Sequence, residues 1–319
     1  MLKFSHVGDA ETVFGNIARS RDDRAAGRIS NYRPLLMVLG GGFGGAPGGG
    51  LAIPFTRNYL MRGLEVAFGN SVGSAIVAYA ADCDQGLSEE PDRMKEVASI
   101  FYEECTNPAL VSYRRWVRGG YGFDVQSVCD LFRDGPKRIN QARARKCPAK
   151  IVSAVSEYES ARIRLIYLTD FEDMVDGIRA AIHIPSACPG SVDINGRGCV
   201  EAAACDPLPI REVVGTHGPF TDIVVFMNRS PEYKLSWYLR QLEKRFALKG
   251  LPQRLQEKML RREDAFRRRL HFLRRKCCAN LVEIFNEDVA LQEQDPRTLR
   301  DAVESGEDYM ENLLRRAGV

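Results

Sequence analysis

At 319 residues, 45% of them apolar, the chain is long enough for one large domain or two modest ones with a real core. A net charge of +3 with 27% charged residues leaves no global demand for a nucleic-acid partner. Nine scattered cysteines without a CxxC pair argue against a disulfide framework and a structural zinc site, and point to a reducing cytoplasm.

In chain order, residues 1–33 are polar without a clear period and are expected to form an arm or short helix. The opening stretch lacks the apolar core of a signal peptide, and no apolar run approaches the ~20 residues that span a bilayer. A soluble cytoplasmic protein is therefore expected. "PLLMVLGGGFGG" predicts a buried strand, Leu35 to Leu39, that ends abruptly in glycines, and "LAIPFTRNYLMRG" predicts a helix with a glycine-rich start. "LEVAFG" is a second strand, leading through Gly69-Asn70-Ser71-Val72-Gly73 into the helical run that follows. Glu89 to Ile139 reads as helical, broken at "TNP" and "RGGYG". "PAKIVSAVSEY" and "RIRLIYLT" predict paired strands with a turn at "ESA". "DMVDGIRAAIHIPSAC" is helical up to its prolines; a turn at Asn195-Gly196 and a short strand before Glu201 follow. "TDIVVFMNR" is a buried strand. Strands alternating with helices predict an α/β fold with a mainly parallel central sheet flanked by helices.

The tail divides by charge. Glu232 to Cys278 holds about fifteen Lys or Arg against about five acids in helical text. The ordinary reading is a solvated helix face. The functional alternative is a basic surface, spanning 234–276, attracted to anionic lipid head groups. "NLVEIFNEDVAL" predicts a last strand and "TLRDAVESGEDYMENLLRRAG" a closing helix.

Three pieces could carry chemistry. Gly40 to Gly45 satisfies G-x-G-x-x-G directly after a strand, but a dinucleotide fold wants an acid ending the next strand, and Glu65 precedes it instead. The same glycines expose backbone N–H groups that can cradle an oxyanion or a phosphate. Packing alone would hardly need eight glycines between positions 40 and 50. Gly69 to Gly73 matches G-x-S-x-G between strand and helix, where small neighbours admit a strained serine and the helix N-terminus favours negative charge. Such a nucleophile needs a base. Of His6, His183, His217 and His271, only His217, in the "GTHGPF" loop, is kept in reserve. Otherwise a carboxylate must serve, and "CVEAAACDPLPI" is the segment to inspect.

Together these motifs resemble the patatin-like phospholipases. The family opens on a strand, G-G-G-x-[RK]-G and a helix, then carries G-x-S-x-G at an elbow, and later D-G-[GA] followed by N-P-x-P. Here these align with Gly40 to Gly45, with Gly69 to Gly73, and with Val200 to Pro209. "RGGYGFDVQSVCDLF" and the chain's ending are similar to small bacterial members, so the likeness spans roughly residues 35 to 316. It implies a three-layer α/β arrangement with a helical C-terminal extension. Residues 34–230 would be the acyl hydrolase core, 1–33 an arm, and 231–319 a helical part with a last strand on the same domain. It further implies a lipid acyl hydrolase with no metal or organic cofactor and a phospholipid or other acyl ester as substrate. Ser71 would be the nucleophile, Glu201 the base, and the backbone of Gly41, Gly42 and Phe43 the oxyanion hole.

Two departures stand out. Gly44 occupies the family's Arg or Lys position, and the dyad acid is Glu201 followed by Ala202 and Ala203 in place of Asp and two glycines. The extra methylene moves the carboxylate by about 1.5 Å on a fixed backbone, a displacement that can cost on the order of a hundredfold in rate. Alanines also resist the positive φ that glycine adopts cheaply. Asp193 and Asp206, the latter at the family's Asn position, are other carboxylates nearby. The alternative is an impaired relative that acts as a lipid-binding or regulatory module.

Overall fold

The computed structural model describes residues 2–41, 45–112, 121–185, 187–228, 230–232, 241, 248–289 and 293–319. Nine strands form one sheet: β1 (Phe4–Gly8), β2 (Pro34–Val38), β3 (Val66–Gly69), β4 (Lys150–Glu157), β5 (Ile163–Tyr167), β6 (Val192–Asp193), β7 (Gly198–Glu201), β8 (Asp222–Met227) and β9 (Asn280–Asn286). Their order is β1-β9-β8-β2-β3-β4-β7-β6, with β5 paired to β4. The centre, from β9 through β8, β2 and β3 to β4, is parallel, and the margins are antiparallel.

The central strands are apolar on both faces because helices cover both. In β2, Leu36 and Val38 face one core with Ala67, Val224 and Phe226, while Leu35 and Met37 face the other with Val66, Phe68 and Val225. That is the period-2 alternation of a pleated strand. The first face is packed by α1 (Ala10–Ala25), α2 (Ala46–Arg57), α3 (Val72–Gly86), α4 (Val125–Asp134), α5 (Met174–Ala181) and α9 (Pro296–Arg316). The second is covered by α6 (Ile210–His217) and α8 (Arg262–Lys276), and α7 (Gln253–Leu260) backs β7 through Leu255 and Met259. The chain is thus α/β with helices on both faces of the sheet.

Several boundaries differ from the sequence reading. Residues 1–33 contribute an edge strand and a 16-residue helix, whose Val13, Phe14 and Ile17 are fully buried; the polar positions between them masked the stripe. Helix α2 starts earlier than expected and contains Gly48, Gly49 and Gly50. A Cβ on Gly50 would stand 2.2 Å from the Val303 carbonyl oxygen, so packing against α9 does account for part of the glycine run. Within 89–139 the described residues hold short helices at Arg93–Ala98 and Ile100–Glu103 besides α4. His217 ends α6 instead of lying in a loop.

The lanes beside β4 position the site. β5 pairs with Val152 to Ser156 along one edge. On the other edge β3 pairs with Lys150 to Ser153 and stops at Gly69. β7 enters that same lane from the opposite direction, with Glu201 opposite Val155. Gly69 and Glu201 therefore face positions separated only by Ala154, and the ends of β3 and β7 meet nearly head to head.

Candidate active site

Ser71 joins β3 to α3 at φ 53 and ψ −130, a backbone conformation that costs a non-glycine residue on the order of 1–3 kcal/mol. Its neighbours explain why it persists. The Asn70 N–H donates to the Val38 carbonyl at 2.9 Å, and the Ser74 N–H donates to the Ser71 carbonyl at 2.8 Å. A Cβ on Gly69 would lie 2.3 Å from the Gly73 carbonyl oxygen, and one on Gly73 would lie 2.0 Å from that of Val38. Strand and helix approach too closely for any side chain at either position. Gly40 is pressed against the serine itself, where a Cβ would meet Ser71 Cβ at 2.7 Å, and Gly45 faces Val72. Ser74 Oγ donates to the Gly69 carbonyl at 3.1 Å and shares a 2.7 Å hydrogen bond with Ser153 Oγ, tying the elbow to β4.

Glu201 ends β7, and its N–H donates to the His183 carbonyl at 3.0 Å. Ser71 Oγ donates to Glu201 Oε2 at 2.8 Å across 130 positions of sequence. Both side chains are nearly buried, Ser71 at 6% and Glu201 at 9% exposure. Burial therefore pushes the Glu201 carboxyl up to about 7; the Ser71 hydrogen bond and the Arg262 charge pull weakly the other way. Ala202 to Ala204 continue in a 3-10 turn, and neither Ala202 nor Ala203 takes a positive φ. The turn that follows this acid has no conformational need for glycine.

Of the residues proposed to receive an oxyanion, Gly41 is buried beside this elbow's glycine neighbour, whereas Gly42 and Phe43, with Gly44, lie outside the described residues. The histidines do other things. His183 is buried with Nε2 3.3 Å from the Gly190 carbonyl, and His217 Nε2 sits 3.3 Å from the Tyr167 hydroxyl. Burial lowers the pKa of both imidazoles. Asp206 is engaged by Arg269, and Asp193 accepts the Gly196 N–H in an exposed turn. Glu65 precedes β3, away from Ser71, and pairs with Arg24 at 3.3 Å. Among the described residues no cluster of three or more His, Cys, Asp or Glu side chains could hold a metal ion, and all nine cysteines are free thiols.

Three supporting residues escape sequence reasoning. Asn228 spans the ends of the glycine loop: its Nδ2 donates to the Leu39 carbonyl at 2.6 Å and its Oδ1 accepts the Gly48 N–H at 2.9 Å. Asn70, fully buried, donates from Nδ2 to the carbonyls of Asp206 and Pro207 at 3.3 and 3.1 Å. Arg269 reaches Asp206 from α8. A polar residue directly after a buried strand, as at Asn70 and Asn228, is the one local signal among them.

No family model matches the chain, and no curated protein does. Among solved structures it is similar to VipD from Legionella pneumophila, at 12% identity and a TM-score of 0.42, over 90% of this chain and 67% of that one. It is also similar to the full-length SpcU–ExoU complex from the type III secretion system of Pseudomonas aeruginosa, at 11% identity and a TM-score of 0.25. That match covers 88% of this chain and 60% of the other.

Proposed function

We propose that the chain is a patatin-like serine acyl hydrolase acting on lipid esters through a Ser71–Glu201 dyad. The observation that carries this reading is the 2.8 Å hydrogen bond from a serine on a strained strand–helix elbow to a buried carboxylate. Glutamate reaches the serine despite its extra methylene because β7 delivers it from the opposite direction in the lane that β3 vacates. A base that titrates near 7 is well matched to proton transfer at neutral pH.

In the proposed reaction Ser71 Oγ attacks the acyl carbonyl while its proton passes to Glu201 Oε2. The tetrahedral oxyanion is received by backbone N–H groups of the loop at Gly41, Gly42 and Phe43, with the N-terminus of α3 adding favourable field. Collapse breaks the ester bond, and Glu201 returns the proton to the departing alcohol. Glu201 then takes a proton from the water that attacks the acyl-serine, and collapse breaks the Ser71 Oγ–acyl bond, returns that proton to Oγ and releases the carboxylic acid. Labelling with a fluorophosphonate probe tests this, with Ser71→Ala as control: Ser71-dependent labelling and ester hydrolysis are expected, and absence of both overturns the reading in favour of a non-catalytic lipid-binding protein.

A second reading concerns where the substrate is met. Arg254, Lys258, Arg261, Arg268, Arg275 and Lys276, on or beside α7 and α8, are exposed and make no ion pair with any described residue. No described helix is long and apolar enough to cross a membrane. These charges favour peripheral contact with anionic bilayers, each worth on the order of 1 kcal/mol near such a surface. Co-sedimentation with anionic but not neutral vesicles is the expected result, and equal binding to both removes the electrostatic contact.

A further inference from the structure

We propose that Arg269 and Asp206 form a clamp that positions Glu201 against Ser71, making the basic helix α8 part of the apparatus that sets the dyad. The inference rests on the dyad reading above and concerns positioning residues, since neither side chain touches the reacting atoms.

The turn after Glu201 is a small rigid unit. The Ala202 carbonyl accepts the N–H groups of Cys205 and Asp206 at 2.9 and 2.8 Å, so residue 206 fixes the direction in which residue 201 leaves β7. Asp206 is in turn the meeting point of three elements. Its carboxylate accepts from Arg269 Nε at 2.6 Å and from the Leu208 N–H at 3.2 Å. Its carbonyl accepts from Asn70, the residue directly before the nucleophile, at 3.3 Å. Arg269 is itself held by Glu212 of α6 at 2.7 Å. The elbow, the acid turn and α8 are thus joined through one buried residue.

Two physical arguments make this a device for geometry. A nearly buried ion pair recovers little more than its own desolvation, and well-packed apolar residues often match or exceed it in stability, so stability alone does not call for Asp206–Arg269. A glutamate also carries one more rotatable bond than an aspartate, so its backbone must be held more firmly to keep the carboxylate at hydrogen-bond distance. With no glycine-shaped turn to do this, the anchor comes from outside the segment. Arg269 therefore belongs to the support of the acid, although it lies in the same basic run as the six exposed cations named above.

The test compares Arg269→Met, Arg269→Lys and the double variant Asp206→Asn/Arg269→Met, each checked for folding by circular dichroism and thermal midpoint. The double variant leaves no charge unpaired at position 206, only the partly exposed Glu212 carboxylate losing its partner, and covers the case in which Arg269→Met alone unfolds. In folded variants lacking the clamp, kcat on a soluble ester should fall about 10- to 100-fold with KM within about threefold, the signature of misplacement. Arg269→Lys should return kcat to within about fivefold of the parent. Independently of turnover, the 13C carboxyl signal of Glu201, assigned with Glu201→Gln, should change its titration midpoint when the clamp is removed. A folded double variant with parental kcat and an unmoved Glu201 titration overturns the clamp. If the parent shows no Ser71-dependent turnover, the hydrolase reading falls, and the carboxyl titration still decides the clamp: a moved midpoint upholds it and an unmoved one overturns it.

Discussion

The two halves of the proposed dyad are built in opposite ways. The elbow at 69–73 is made by its own pentapeptide: two glycines let backbones approach to distances no Cβ permits, and the serine between them is held at φ 53. The acid turn at 201–206 has no glycine and no positive φ, and its place is set by sheet pairing and by residues far away in sequence. A locally strained serine is matched with a relaxed acid that is held from outside. The elbow should therefore fail under small local changes, and the acid should fail when its reach or its anchors change.

The largest expected effect is at the elbow. Gly73→Ala places a Cβ 2.0 Å from the Val38 carbonyl, a clash with backbone that cannot yield, and should cost more than about 4 kcal/mol. Thermal melting should find little or no folded protein.

Next comes the burial of the acid. The Glu201 pKa is raised from 4.5 to about 7 in the fold because burial penalises the charged carboxylate. The resulting stabilisation is complete below the unfolded value of 4.5 and is lost as pH rises through about 7. Glu201→Gln removes the titration, so its stability relative to the parent should improve by up to about 3 kcal/mol between pH 4 and pH 8 in denaturant melts. The proposed hydrolysis would need the ionised base, so the parent's rate should rise with pH through about 7 before levelling.

Glu201→Asp shortens the reach by about 1.5 Å and should lower kcat about 100-fold, although aspartate is the residue the patatin-like pattern carries. A rate above the parent's would show that the present hydrogen bond is unproductive. Relieving the elbow acts in the other direction: Ser71→Gly should abolish hydrolysis while raising stability by about 1–2 kcal/mol, read as a higher thermal midpoint. Smallest of all, Ala202→Gly should leave kcat within about threefold and cost at most about 1 kcal/mol, because the position adopts an ordinary helical turn.

The comparison also explains what could be read in advance. The apolar runs at 34–38, 66–69 and 222–227 announce central strands because both their faces must be buried. The pentapeptide at Ser71 announces its own geometry. The N-terminal strand and helix were obscured because an edge strand and a half-buried helix keep polar residues on their outer faces. Gly48 to Gly50 serve helix packing, which a motif scan along one dimension merges with the loop before them. Asn70 and Asn228 show locally no more than a polar residue after a buried strand and Arg269 shows nothing, since their partners lie between 57 and 189 positions away.

By itself, then, the sequence determined the alternation of strands and helices and the conformation of the serine elbow, both of which follow from short-range sterics and hydrophobic period. Only the tertiary structure decided that a glutamate in a glycine-free turn would come within 2.8 Å of that serine. That distance depends on two strands sharing one edge of β4 and on an arginine from a distant helix. These are long-range conditions that no local pattern encodes.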